Sequence, residues 1–137
     1  MDTNCIFCKI INKEIGSNIL YEDDDFQVIL DNSPATKGHA ILITKKHYSN
    51  VFEMDSEIAG KLFPLVLKVA NVMKDELNCS GFNLLQNNGK DAGQTVFHFH
   101  LHLIPRYEDD GVNFTWGRYD YADGQASEIA KKISDIL

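Results

Sequence analysis

The sequence predicts a single α+β domain over residues 1–137: an antiparallel meander of about five strands, one main helix and a C-terminal helix. Three observations lead there. Short apolar runs recur between turn signals. One long segment, Asp55 to Leu77, carries its apolar residues at helical spacing. Residues 98–102 read His-Phe-His-Leu-His, the strict alternation of a strand. A chain of 137 residues is long enough to bury a core without cross-links.

In chain order, residues 5–12 (Cys-Ile-Phe-Cys-Lys-Ile-Ile-Asn) read as a short helical turn with an apolar face. Strands follow at 18–22 and 26–31, separated by the acidic turn Asp23-Asp24-Asp25. Ser33-Pro34 opens a turn that closes at Gly38, and residues 39–44 form a third strand. In the long helix, Ile58, Leu62, Leu65, Val69, Val72 and Met73 mark one face. Pro64 should kink or break it, because proline has no N–H and crowds the preceding turn. A strand at 82–86 runs into the polar loop 87–94. The histidine strand then spans roughly 95–104 and ends at Pro105, and an amphipathic helix covers about Ala126 to Leu137.

Composition narrows the function. Net charge is −7, with 20 acids against 13 bases, which argues against nucleic-acid or anionic-membrane surfaces. It still allows one small phosphorylated ligand held by local donors. No apolar run has the length of a membrane span. Met1-Asp2-Thr3-Asn4 lacks the basic start and apolar stretch of a signal peptide, so the expected compartment is the cytoplasm. There the three cysteines read as thiols or metal ligands.

His98, His100 and His102 should share one face of their strand, a poor choice for a core because each ring brings polar nitrogens that need partners. The Cα atoms of the outer two would lie about 13 Å apart in a strand, too far for easy convergence on one metal. A division of labour is easier, with His100 doing chemistry while its neighbours orient, relay or ligate. A neutral imidazole can hold its proton against a carbonyl and present the other nitrogen as a nucleophile. Asn87, Gln94, Thr95 and the amides around Gly93 are neutral donors suited to phosphoryl oxygens.

The run Gly93-Gln94-Thr95-Val96-Phe97-His98-Phe99-His100-Leu101-His102-Leu103-Ile104 resembles the signature of the histidine triad nucleotide hydrolases and transferases. The likeness extends through Asp31–Pro34, Gly38–His47 and Ile6–Ile10, covering roughly residues 4 to 106. It implies that His100 attacks the α-phosphate of a nucleotide to form a nucleotidyl-histidine that water hydrolyses. His102 would lie by the phosphate and leaving group, and His39 and His98 would take part in orienting the nucleophile. Thr95 would hydrogen-bond near the leaving group, Asp31 would hold the ribose, and Ile6, Phe7, Ile10 and Ile29 would wall a purine pocket. The resemblance also implies a homodimer joining two five-stranded sheets. Trp116 falls in the C-terminal region, which varies in the family.

Asn87 and the N-terminal arm resemble the purine nucleoside phosphoramidase branch, which cleaves phosphoramidates and related AMP derivatives. Ile104-Pro105-Arg106 is closer to the branch that hydrolyses diadenosine polyphosphates. Cys5-x-x-Cys8 alone is compatible with a redox pair, two plain thiols or half of a tetrahedral zinc site. The resemblance, to bacterial members above all, implies structural Zn2+ on Cys5, Cys8, His47 and His98. Two rivals from other classes are a metal-dependent hydrolase with its metal at the triad and a non-catalytic nucleotide-binding adaptor.

Overall fold

The structure, a computed structural model, describes residues 4–137. The first three, on which part of the signal-peptide reading rests, lie outside the described residues. The elements are α1 (Ile6–Ile11), β1 (Ile19–Glu22), β2 (Phe26–Leu30), β3 (Ala40–Thr44), α2 (Ser56–Leu77), β4 (Gly81–Leu85), β5 (His100–Arg106) and α3 (Gln125–Ser134). The strands form one five-stranded antiparallel sheet in the order β1-β2-β3-β5-β4. The α+β class therefore holds, but the sheet is only partly a meander. After β3 the chain crosses through α2 to the sheet edge, and β5 returns as a hairpin between β3 and β4.

Alternation divides the strand residues between two faces. Val28, Ala40, Leu42, Leu101 and Leu103 pack against Leu65, Val66, Val69 and Met73 of α2. Ile29, Ile41 and Ile43 point the other way, against Cys5, Phe7, Cys8 and Ile10 at the chain's start. The register sets Ile41 beside His102 and Ile43 beside His100, so both histidines share the face that α1 covers. The α2 side is thus a conventional apolar core, and the opposite side mixes apolar residues with imidazoles.

Among the differences from the sequence expectation, three have a clear physical cause. The histidine strand begins at His100 rather than 95, because Phe99 N–H is spent on Tyr48 O (2.7 Å) outside the ladder. His98 consequently precedes the strand, and its ring meets Cys5 and Cys8 on the same α1-covered side of the sheet. Pro105 lies within β5 opposite Phe82 instead of ending it. The β3 partners of β5 stop at Leu103, so the side where proline lacks an N–H has no ladder to break, and Pro105 O instead accepts from Thr36 Oγ1 (2.6 Å).

The third difference is Pro64, which does not break the helix: α2 runs on from Ser56 to Leu77. Gly60, whose carbonyl would lose its partner, is exposed, as is Pro64, so water can satisfy that group. The Asp55 side chain caps the start of α2, accepting from Glu57 N–H (2.8 Å), and Asn78 ends it in a left-handed conformation. Among the described residues no helix is long and apolar enough to cross a membrane.

Candidate active site and metal centre

Beneath α1, on the imidazole face of the sheet, lies a cleft of about 360 Å3. Ile6, Phe7 and Ile10 of α1 form one wall, Ile29 and Ile41 the floor, and Asp31, Thr95, His100 and His102 the polar end. All four residues expected around a base are therefore in one place with the expected nucleophile. The loop donors divide: Thr95 lines the cleft, while Asn87, Gly93 and Gln94 do not. The Gln94 amide is buried and committed to the backbone. It donates to Ser49 O (2.7 Å) and Val96 O (3.0 Å) and accepts from Gly89 N–H (2.8 Å). It shapes the loop from inside.

In His100, His39 and His98 a backbone group fixes which ring nitrogen carries the proton. His100 Nδ1 donates to the carbonyl of His98 (2.7 Å), which leaves Nε2 with its lone pair. Burial holds the His100 pKa below the ordinary value, favouring that neutral form. The Phe7 ring stands edge-on against His100, centroids 4.9 Å apart, and limits how the ring can turn.

On the β2 side of His100, Ala35 N–H donates to His39 Nδ1 (2.9 Å), so the proton of neutral His39 sits on Nε2. That proton points at His102 Nδ1 (2.9 Å), which puts the proton of neutral His102 on Nε2. Asp31 Oδ2 lies 3.5 Å from His39 Nε2 and 4.0 Å from His102 Nδ1, while Oδ1 is held by Ser33 N–H (2.8 Å). Burial, followed by the neighbouring His100 and His39, pushes the His102 pKa down to about 4, against the opposing pull of Asp31. Burial also lowers His39, opposed by the same carboxylate.

On the other side, His98 is fully buried and its Nε2–H donates to Thr44 O (2.6 Å). Its Nδ1 lone pair faces Cys5 Sγ (3.3 Å), Cys8 Sγ (3.5 Å) and His47 Nδ1 (3.1 Å), and His47 Nδ1 lies 3.3 Å from Cys8 Sγ. A tetrahedral ion with bonds of about 2.0–2.1 Å to nitrogen and about 2.3 Å to sulfur would space its ligands about 3.3 Å (N to N) and 3.5 Å (N to S) apart. The four side chains match that spacing to within a few tenths of an ångström and could hold such an ion. A backbone carbonyl that takes the other ring proton of a ligating histidine fixes its tautomer and is the usual arrangement around such an ion.

Sequence reasoning missed the residues that act through their backbone: Ala35, Thr44 and the carbonyl of His98. Nothing in a side-chain pattern marks them. It also missed Ile41 and Val96 in the cleft wall, although the alternation of residues 39–44 could have found Ile41.

The family model described as HIT domain matches residues 12–109, a stretch that begins just after α1. A crystal structure of a HIT family protein from Bacillus anthracis superimposes with a TM-score of 0.91 at 46% identity, covering 100% of this chain and 99% of that one. The Bacillus subtilis relative named Protein hit is 44% identical over 98% of this chain and 94% of its own length. A Schizosaccharomyces pombe relative, 36% identical over 98% of both chains, is named adenosine 5'-monophosphoramidase hnt1.

Proposed function

The chain belongs to the HIT domain family, and on that premise we propose that it is a nucleotide hydrolase or nucleotidyl transferase acting through a covalent nucleotidyl-histidine on His100. Its substrates are purine nucleoside phosphoramidates or related AMP derivatives. The observation that carries this reading is the His100 Nδ1–H bond to the His98 carbonyl, which turns the Nε2 lone pair into the nucleophile. The monophosphoramidase name of the yeast relative supports the substrate class.

In this reading the base enters between Ile6, Phe7, Ile10 and Ile29, and Asp31 takes the ribose hydroxyls. His100 Nε2 attacks the α-phosphorus and the bond to the leaving nitrogen or oxygen breaks. His102 lies by the phosphate and leaving group and donates a hydrogen bond there from Nε2–H, with Thr95 bonding beside it. The departing group takes its proton from water, and His39 holds His102 in the required tautomer. Water then displaces His100 from phosphorus. Asn87, Gly93 and Gln94 set the loop that delivers Thr95.

Cys5, Cys8, His47 and His98 would hold Zn2+, which supplies a structural cross-link between the N-terminal arm and the His98 segment. The bound His98 acts on the chemistry through its carbonyl alone. We assign the working form as a cytoplasmic homodimer, which size-exclusion chromatography with light scattering checks.

The test is intact-protein mass spectrometry after a brief quench of the enzyme with adenosine phosphoramidate. An AMP-mass adduct on the wild type and none on His100→Ala is the expected result. AMP release without an adduct under single-turnover conditions sinks the covalent mechanism. It would favour a second reading, a hydrolase with its metal on Asp31, His39 and His102, whose ligand atoms lie within 4.8 Å of one another. Activity that a chelator abolishes while the cage keeps its metal would then identify that site.

A further inference from the structure

The metal cage and the catalytic cleft meet at two points. The first is His98, whose ring faces Cys5, Cys8 and His47 while its carbonyl holds the proton of His100. The second is α1. Cys5 caps its start and Cys8 sits three residues further in, and between and beyond them Ile6, Phe7 and Ile10 wall the cleft. The Phe7 ring touches both histidines edge-on, at 5.9 Å from His98 and 4.9 Å from His100. A change at the two sulfurs therefore reaches the base pocket and the nucleophile together.

We propose that Cys5 and Cys8 are a peroxide-sensitive modification site, and that their oxidation to a disulfide releases the metal and disables the nucleotide cleft. The inference rests on the zinc and nucleotide reading above. Three features carry it. The sulfurs lie within 4.8 Å of each other, on residues three apart in one turn of chain. Cys5, although buried, also lines a second groove with Asn4, Ile6, Thr95, Val96 and Phe97, along which a small oxidant can approach that residue. A coordinating metal keeps both sulfurs as thiolates, the form that attacks peroxides.

The chemistry balances with a hydroperoxide as oxidant. One thiolate attacks the outer peroxide oxygen; the O–O bond breaks, an alcohol (or water, from hydrogen peroxide) leaves with one proton, and a sulfenic acid remains. The second thiolate attacks that sulfur, and hydroxide leaves as water with a second proton. Two thiolates, one hydroperoxide and two protons thus give one disulfide, one alcohol and one water, with each sulfur losing one electron. The disulfide is a poor ligand, so the ion keeps only His47 and His98 and dissociates. The first turn of α1 must then move to bring the sulfurs together, taking Phe7 and Ile6 with it.

The experiment uses the zinc-loaded chain carrying Cys79→Ser, which removes the third thiol, at the α2–β4 junction. Hydrogen peroxide is titrated in while metal release is followed with a chromogenic chelator, disulfide by a two-hydrogen loss in intact mass, and AMP affinity by calorimetry. The expected result is that release and mass loss run together, one metal per disulfide, and that AMP affinity falls at least about tenfold. A dithiol plus Zn2+ should restore all three.

Oxygen addition without disulfide, or a disulfide that leaves the metal bound, overturns the modification site. Complete release with unchanged AMP affinity overturns the coupling. If the untreated protein does not bind AMP, the nucleotide reading itself has failed, and the coupling is read from amide hydrogen exchange of Phe7 and Ile10. Protection lost on oxidation supports it, and protection retained refutes it.

Discussion

On one side of His100 lies a cluster of two sulfurs and two imidazoles, and on the other a cluster of two imidazoles and a carboxylate. Both are partly or fully buried and both are built around histidines of the same short segment. They differ in where the backbone puts the protons. In the cage, Thr44 O takes the His98 Nε2 proton and leaves Nδ1 bare towards soft sulfur ligands. In the cleft, Ala35 N–H occupies His39 Nδ1, so a proton runs from His39 to His102 and leaves His102 a donor at its far nitrogen. One residue type presents a bare nitrogen suited to a metal in one place and a donor N–H in the other. What chooses between them is a carbonyl in one case and an amide in the other, neither visible as a side chain.

The largest effect expected is at the residue between the clusters. His100→Ala should lower turnover by on the order of 10⁴-fold or more, with the circular dichroism spectrum retained. A variant with a tenth of wild-type activity would mean that neither cluster serves His100. Cys8→Ser should break the cage while leaving the bond from His39 to His102 in place. Metal content should fall to near zero, and stability should drop by several kcal/mol, seen as a melting temperature lower by roughly 10 °C or more. Full zinc occupancy with unchanged melting would remove the cage from the comparison. His39→Ala should break the proton network alone, lowering kcat by about 10–100-fold with KM little changed, since the base and ribose contacts remain. Equal losses from metal depletion and from His39→Ala in both kcat and KM would show that the two clusters are not separate devices.

Much of this was legible in the sequence because it rests on side-chain pattern. The sheet-and-helix class follows from two periodicities, and the apolar cleft wall follows from Ile6, Phe7, Ile10 and Ile29 once the family resemblance places them. The illegible parts depend on the backbone. Nothing in Phe99 announces that its N–H pairs with Tyr48 O, so His98 reads as a third strand histidine although it lies just before the strand, with its ring among Cys5, Cys8 and His47. Gln94 reads as a phosphate donor because a side-chain amide looks the same in sequence whether it faces solvent or Ser49 O. The position of β5 between β3 and β4 is a tertiary choice that local pattern does not encode. The helix read at about Ala126 to Leu137 forms as α3 (Gln125–Ser134), yet Ile129 and Ile133 stay exposed, so periodicity marked the apolar stripe without saying what it packs on.

The smallest expected effect concerns pH, and it sharpens the contrast at the proton network. His102 faces His100, His39 and Asp31, and its pKa lies at about 4 in the folded chain, pushed down from 6.5 chiefly by burial. Between those two values an unfolded chain binds a proton at this position that the folded chain refuses. Stability therefore rises with pH across the window, is fully present above the unfolded value, and is lost as pH falls through 6.5 towards 4. The size is on the order of 1–3 kcal/mol. His102→Asn should flatten the slope of the urea midpoint between pH 4 and 6.5 without moving the cage's metal content. If the slope persists unchanged in that variant, the acid sensitivity belongs to other groups. The proton order running from Ala35 through His39 to His102 would then have to be tested by the tautomer-sensitive nitrogen shifts of the rings themselves.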